Sequence, residues 1–160
     1  MRRLALTSAS LLLLTACRAT AGVASAGWEP ATVAELSAVA DSILVAARAR
    51  DAVRFTGYFA PGDELTYVIN TRTLRSHAAL SAAFRSLLGA QREFDVRWTD
   101  RHVAVLGPEA AVFTSGFRTA ARDTSGVAWG ARGVVTFVAR RGAAGWRVVN
   151  WHTSEVPTPP

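Results

Sequence analysis

The chain has 160 residues, half of them apolar, which is enough for one domain with a substantial hydrophobic core. All 18 basic residues are arginines scattered along the chain, so the net charge of +6 does not predict a nucleic-acid-binding stripe. The single cysteine excludes an internal disulfide, and packing alone must therefore stabilise the fold.

The first residues have the pattern of an export signal. Met1-Arg2-Arg3 and an apolar run ending at Leu14 precede Thr15-Ala16-Cys17. A Cys directly after a small residue resembles the lipobox of bacterial lipoproteins, in which the thiol is acylated and the peptide is cut before it. We expect residues 1–16 to be removed and Cys17 to anchor the exported protein in the bacterial envelope, at the periplasmic or cell-surface side. The alternative is an ordinary signal peptide with a chance Cys.

Three helices are predicted after this signal. Residues 17–31, which are small and polar, read as a flexible tether that joins the lipidated Cys to a domain starting at residue 32. Thr32 and Glu35 have the spacing of a capping box before a long amphipathic helix. Asp51 is expected to cap a short second helix, and Ser76 a third.

Strands dominate the rest of the chain. After a short strand at 65–69, alternation of Phe94, Val96 and Trp98 with polar residues predicts a long strand. The apolar parity then changes at Val103, which predicts a bulge or bend near 99–102. Three further strands are predicted, at 111–119, 129–140 and 146–154. The prolines that follow predict a tail at 157–160.

Helices followed by an antiparallel meander indicate the α+β class. We therefore predict three N-terminal helices packed on a curved, mostly antiparallel sheet of four to six strands. Bent long strands would curl such a sheet into a half-open cone, and a cone closed by helices encloses a cavity.

The order of these elements resembles the SnoaL-like, nuclear-transport-factor-2-like superfamily over about 32–156. The strongest likeness is the run Gly145-Trp146-Arg147-Val148-Val149-Asn150-Trp151-His152-Thr153-Ser154, preceded by the strand at 133–138. The segment 103–112 also looks like the family's second hairpin. The resemblance implies a cystatin-like cone. It does not settle function, because this scaffold hosts isomerases, cyclases, dehydratases, hydrolases, assembly domains and binding proteins.

Two catalytic candidates follow. Simple alternation puts Asn150, His152 and Ser154 on one face of the last strand, and the resemblance places that face toward the cone interior. His152 would then be a base, an acid or an orienting donor. Alternatively it is a structural His bonded to Ser154 or to a backbone carbonyl. Asp100, at the predicted bend, is the acid that could point inward beside it.

A ligand site in the cone would have aromatic walls and a few convergent polar groups. The expected ligand-binding residues are Tyr67, Trp98, Phe113, Trp129, Asn150 and Ser154. The alternative for most of these aromatic side chains is plain core packing. The main functional hypothesis is binding of a small, largely apolar molecule. The others are an isomerase, dehydratase or hydrolase using His152 with Tyr67 or Asp100, and a non-catalytic assembly module.

The sequence also bears on metals, cofactors and self-association. The three histidines, His77, His102 and His152, lack metal-ligand spacing, and there is no phosphate-binding loop, so no metal or cofactor is expected. Alternation along the last strand assigns Val149, Trp151 and Thr153 to the outer face of the sheet. An exposed Trp among β-branched residues predicts a homodimer through that face.

Overall fold

The computed structural model describes residues 27–159 and contains three helices and six strands. The signal peptide, the lipidated Cys17 and most of the tether are predictions for residues outside this range. The helices are α1 (Trp28–Arg48), α2 (Ala52–Thr56) and α3 (His77–Gly89). The strands are β1 (Thr66–Ile69), β2 (Arg72–Leu74), β3 (Gln91–Gly107), β4 (Ala110–Asp123), β5 (Ala128–Gly142) and β6 (Gly145–Thr158).

Helix α1 begins four residues before the predicted capping box. Its N-cap is Gly27, and Thr32 is a fully buried residue inside the helix, so the predicted Thr32 cap is wrong. Pro30 lies in the first turn, where the missing N–H costs no hydrogen bond. The domain therefore includes residues 28–31, which the sequence assigned to the tether. By length and apolar composition α1 is compatible with a signal sequence or a membrane span, but its buried face makes it a core helix.

The caps predicted for the other two helices are confirmed. The Asp51 side chain accepts a hydrogen bond from the Arg54 amide, and the Ser76 side chain accepts one from the Ala79 amide. The short α2 is held against α3 by stacking of Phe55 on Phe84, with ring centroids 4.2 Å apart.

The strands form one sheet in the order β2-β1-β6-β5-β4-β3, in which only the β1–β6 pair is parallel. The helices cover one face of this curved, open sheet, which confirms the predicted α+β cone. Strand β6 runs on to Thr158 and pairs with β5 as far as Gly130. Pro157 therefore belongs to the sheet, and the predicted tail at 157–160 starts too early.

Strand β3 contains the predicted bulge. One extra residue lies between Thr99 and His102 relative to β4, and Asp100 there has a φ of 50°. Asp tolerates this left-handed conformation better than most residues. The hydroxyl of buried Ser115 donates to the Thr99 carbonyl over 2.6 Å, which satisfies an oxygen that the bulge removes from the ladder. Asp100 itself is exposed, so its predicted inward orientation is wrong.

A second bulge, in β6, was not predicted. Val138 of β5 lies opposite Asn150, whereas the next residue, Ala139, lies opposite Val148, which leaves Val149 as an extra residue. The far edge of β6 changes partner at the same place. Val148 exchanges backbone hydrogen bonds of 2.8 and 2.9 Å with the segment around Phe59, and from Asn150 onward β6 pairs with β1.

This bulge reverses the alternation of the last strand. Trp146 and Val148 face inward as predicted, but beyond the bulge Trp151 and Thr153 are the buried residues. Asn150, His152 and Ser154 are exposed. Their predicted position inside the cone is therefore wrong. The predicted outer row of Val149, Trp151 and Thr153 is wrong for the same reason.

The inner face is built on a cross-strand ladder of four aromatic rings. Phe113, Phe137, Trp151 and Tyr67 lie opposite one another on β4, β5, β6 and β1. Successive ring centroids are 4.8, 5.2 and 5.7 Å apart, and adjacent rings are nearly parallel. Tyr67 and Trp151 of this ladder border the space between the sheet and the helices, whereas Phe113 and Phe137 are packed behind them.

Candidate functional site

A cavity of about 180 Å³ lies between the helices and the inner face of the sheet. Side chains from α1, α2, α3 and all strands except β2 contribute to its wall, and most of them are aromatic or aliphatic. The aromatic members of the wall are Phe55, Tyr67, Phe84, Phe94, Trp98, Phe117, Trp129 and Trp151. The polar members are Thr119, Thr153 and Glu155.

The predicted site residues divide into two groups. Tyr67, Trp98 and Trp129 lie on the cavity wall, and a binding role for them stays a prediction. Phe113 belongs to the packed core: it is fully buried against Phe137 and does not border the cavity. The other predicted members, His152, Asn150, Ser154 and Asp100, point away from the cone interior or lie at its exposed bend.

The indole N–H groups of the wall are already bonded within the protein. Trp98 donates to the Ala40 carbonyl at 3.2 Å, and Trp129 donates to the side-chain oxygen of Gln91 at 3.0 Å. Trp151 donates to the Thr153 hydroxyl at 2.6 Å. These bonds fix the three rings, so the wall offers a ligand rigid apolar surface from the tryptophans rather than free N–H donors.

Glu155 is the residue that sequence reasoning missed. It follows Trp151 and Thr153 on the inner side of β6 and is half-buried at the cavity wall. Burial raises the pKa of its carboxyl group above the usual range. Its carboxylate makes no ion pair and accepts no hydrogen bond from the residues that the structure describes. Simple alternation puts Glu155 on the outer face, because it does not reveal the bulge at Val149 that turns this residue inward.

Tyr67 presents a neutral hydroxyl to the same cavity. Burial is the main cause that raises the pKa of Tyr67, and the negative charge of Glu155 adds to it. A hydrogen bond with Thr153 acts in the opposite direction but is outweighed. The phenol therefore stays protonated across the physiological pH range. Tyr67, Thr153 and Glu155 form a polar cluster in a wall whose other described members, apart from Thr119, are apolar.

Gly133 makes the position of Glu155 possible. It lies between Phe117 and Glu155 in the cross-strand register of the inner face. A Cβ atom added there would lie 2.1 Å from the Ser154 carbonyl oxygen and 2.9 Å from the Phe117 ring. Only glycine fits, so the backbone of β6 approaches β5 closely beside Glu155.

The remaining histidines do not form a metal centre with other residues of the described range. His77 bonds the Thr56 carbonyl through Nε2 at 2.9 Å and contacts the Ser81 hydroxyl through Nδ1, which holds α2 to α3. Between residues 27 and 159, no group of three His, Cys, Asp or Glu side chains is arranged to hold a metal ion.

The fold and its walled cone define a member of the nuclear-transport-factor-2-like superfamily. Residues 36–159 match the model of the SnoaL-like domain, and the chain belongs to that family. Members of this superfamily bind small molecules or act as isomerases and dehydratases. No curated protein matches the chain significantly.

Solved structures with the same fold share little sequence with the chain. A candidate dehydratase from Streptomyces avermitilis is 19% identical with a TM-score of 0.71, covering 79% of this chain and 97% of its own. A nuclear transport factor 2-like protein from Salmonella enterica is 18% identical with a TM-score of 0.72, and the match covers 78% of this chain and 92% of that protein. A ketosteroid isomerase-like protein from Erwinia carotovora is 18% identical with a TM-score of 0.65, and the match covers 79% of this chain and 96% of that protein. At such identities the likeness extends to the fold alone.

Proposed function

We propose that this SnoaL-like domain binds a small, largely apolar molecule in its cone cavity. The observation that carries the proposal is the 180 Å³ space walled by fixed aromatic rings, with one polar cluster at Tyr67, Thr153 and Glu155. Most ligand sites are larger, but apolar cavities of about 150 Å³ in proteins bind benzene. The volume therefore favours a ligand with a single ring.

The expected affinity is modest. A single ring that buries about 150 Å² of apolar surface gains roughly 4 kcal/mol at 25 cal/mol per Å². That free energy corresponds to a dissociation constant of about 1 mM before any polar contact is made. The polar cluster would then set the orientation of the ligand and raise its affinity.

Calorimetric titration with benzyl alcohol tests this proposal. We expect saturable binding with a negative heat-capacity change, which marks burial of apolar surface. Thr119→Phe places a ring in the cavity and should abolish binding. Ala120→Phe is the matched control, because Ala120 is exposed on the opposite side of the same strand and should leave binding intact. Equal binding by both variants would place the ligand elsewhere and refute the proposal.

A second candidate function is proton-transfer catalysis, as in an isomerase, dehydratase or hydrolase. The observation that favours it is a carboxyl group with a raised pKa on the same cavity wall as a neutral Tyr hydroxyl. Such a pair could supply a base and a hydrogen-bond donor to one bound substrate. In this form Glu155 and Tyr67 replace His152 and Asp100, whose side chains lie outside the cavity.

The proposal includes an extracytoplasmic location and self-association. The pattern Leu14-Thr15-Ala16-Cys17 supports a lipid anchor on an exported chain. A homodimer through the outer sheet face is supported by a different set of residues from the one first expected. Val134 on β5 and Val156 on β6 are each 53% exposed there. A dimer without catalysis would make the chain an assembly module.

A further inference from the structure

The cavity has an electrostatic character that its size does not explain. Among the residues that the structure describes, Tyr67 and Glu155 are the only ionisable members of its wall, and no Arg or His of that range borders it. Since Tyr67 stays neutral, Glu155 is the one source of net charge that residues 27–159 contribute to the wall. A ligand inside would therefore meet aromatic ring surfaces and one negative charge.

The nearest candidates to neutralise that charge do not do so. Arg118 and Arg132 share with Glu155 the border of a depression on the outer side of the sheet. Strand alternation sends their side chains to the face opposite Thr119 and Ala131. In the described part of the chain, neither forms an ion pair with Glu155 within 4.0 Å. The Glu155 amide is held by the Asn70 side chain at 2.9 Å, which fixes the backbone but leaves the carboxylate unbonded.

We infer that the cavity selects a small aromatic or aliphatic amine in its protonated form. This inference rests on the proposed function and specifies its ligand class. The ammonium group would bond the Glu155 carboxylate, and the apolar body would lie against Trp98, Phe117 and Trp129. A cation beside aromatic faces and a desolvated carboxylate gains from the ring quadrupoles and from a charge-assisted hydrogen bond. An anionic ligand of the same shape meets an unneutralised like charge and is excluded.

Three probes of one shape separate this inference from the proposed function: benzylamine, benzyl alcohol and benzoate. At neutral pH we expect the wild-type protein to bind benzylamine about tenfold or more tightly than benzyl alcohol, with benzoate weakest. Glu155→Gln should reduce the preference for the amine to about twofold or less while benzyl alcohol binds as before. Glu109→Gln removes a charge from an exposed turn and should keep the full preference.

The outcomes are distinct. If benzyl alcohol binds but benzylamine has no advantage, or if the advantage survives Glu155→Gln, the amine inference is wrong and the apolar-ligand proposal stands. If none of the three probes binds the wild-type protein, the proposed function and this inference both fail. Should Glu155→Gln lose its fold by circular dichroism, Glu155→Asp keeps the charge on a shorter arm. It should then retain the order amine, alcohol, benzoate, and any other order overturns the inference.

Discussion

At the scale of single residues, the cavity depends on polar groups that are bonded to one another. Thr153 is 4% exposed, and its hydroxyl accepts the indole N–H of Trp151, which is 5% exposed. A buried donor left without its acceptor costs the full desolvation of that group, whereas the net gain from making the bond is smaller. Loss of the Thr153 hydroxyl should therefore cost more stability than the bond itself contributes, because it would leave the buried Trp151 N–H without an acceptor.

Thr153→Val tests this pair, because it keeps the side-chain shape and removes the oxygen. We expect the free energy of unfolding to fall by about 1–3 kcal/mol, since the Trp151 N–H loses its acceptor in a dry environment. Thr153→Ser keeps the hydroxyl and should cost clearly less. Urea denaturation of both variants measures the difference. Equal stability of the two would show that the hydroxyl is not the acceptor on which Trp151 depends.

At the scale of elements, the outer sheet face combines apolar and cationic rows. Val134 lies opposite Ser154, and in the neighbouring row Arg97, Arg118 and Arg132 lie side by side on three strands. Like charges directly opposite one another disfavour the sheet locally and would repel the same row of a second copy. Val156 lies in that arginine row, directly opposite Arg132. A two-fold contact on this face is therefore expected to centre on Val134, with the arginine row at its rim.

Val134→Arg should convert the proposed homodimer to a monomer, because it places another charge at the centre of that contact. Sedimentation equilibrium at micromolar concentration measures the change. Val53→Arg is the control, since Val53 on α2 is 75% exposed and distant from the sheet face. A monomeric wild-type protein, or a Val134→Arg protein that stays dimeric, would contradict the proposed interface.

At the scale of the whole molecule, the domain and its proposed anchor have separate roles: the domain would bind the ligand, and the anchor would set the protein's location. The described residues form a hydrophobic core and line the cavity. Attachment to a membrane would restrict where the cavity works, while the ligand contacts are made by the domain alone. Cleavage before Cys17 would also remove Arg2 and Arg3 and lower the net charge by two.

Cys17→Ser should release the protein from the membrane fraction, because serine cannot accept the thioether-linked lipid. Fractionation of cells and mass spectrometry of the mature N-terminus are the measurements. Arg18→Ala changes the adjacent residue without touching the thiol and should stay membrane-bound. A wild-type protein that starts at another residue, or carries no lipid, would rule out the anchor.

The fold could be predicted from sequence because its signals are local. The caps at Asp51 and Ser76 and the parity change before Val103 each occur within a few residues, and the structure has all three. The prediction of a cap at Thr32 was wrong because the helix already begins at Trp28 and includes Pro30 in its first turn. A capping box is a local preference that a longer helix packed on the core can override.

The site was harder to predict because it depends on a contact between distant segments. The bulge at Val149 occurs where β6 passes from the Phe59 segment to β1, and neither partner is near it in sequence. Tyr67, Trp98 and Trp129 border the cavity, and a binding role for them stays a prediction. Simple alternation put His152 inside and did not single out Glu155. A non-local pairing leaves no periodic signal in the strand that it distorts.

The extra residue in β6 also suggests how such a scaffold could change its chemistry over time. Removing Val149 would keep Ala139 opposite Val148 and Val138 opposite Asn150, so Trp151, Thr153 and Glu155 would still face inward on a regular strand. Closing the bulge while keeping Val149 would instead shift the register by one residue, and Asn150, His152 and Ser154 would enter the cone in their place. A carboxylate pocket would become an imidazole and amide pocket through a register shift of one residue. The same strand thus encodes two alternative interiors, and the presence of the bulge selects between them.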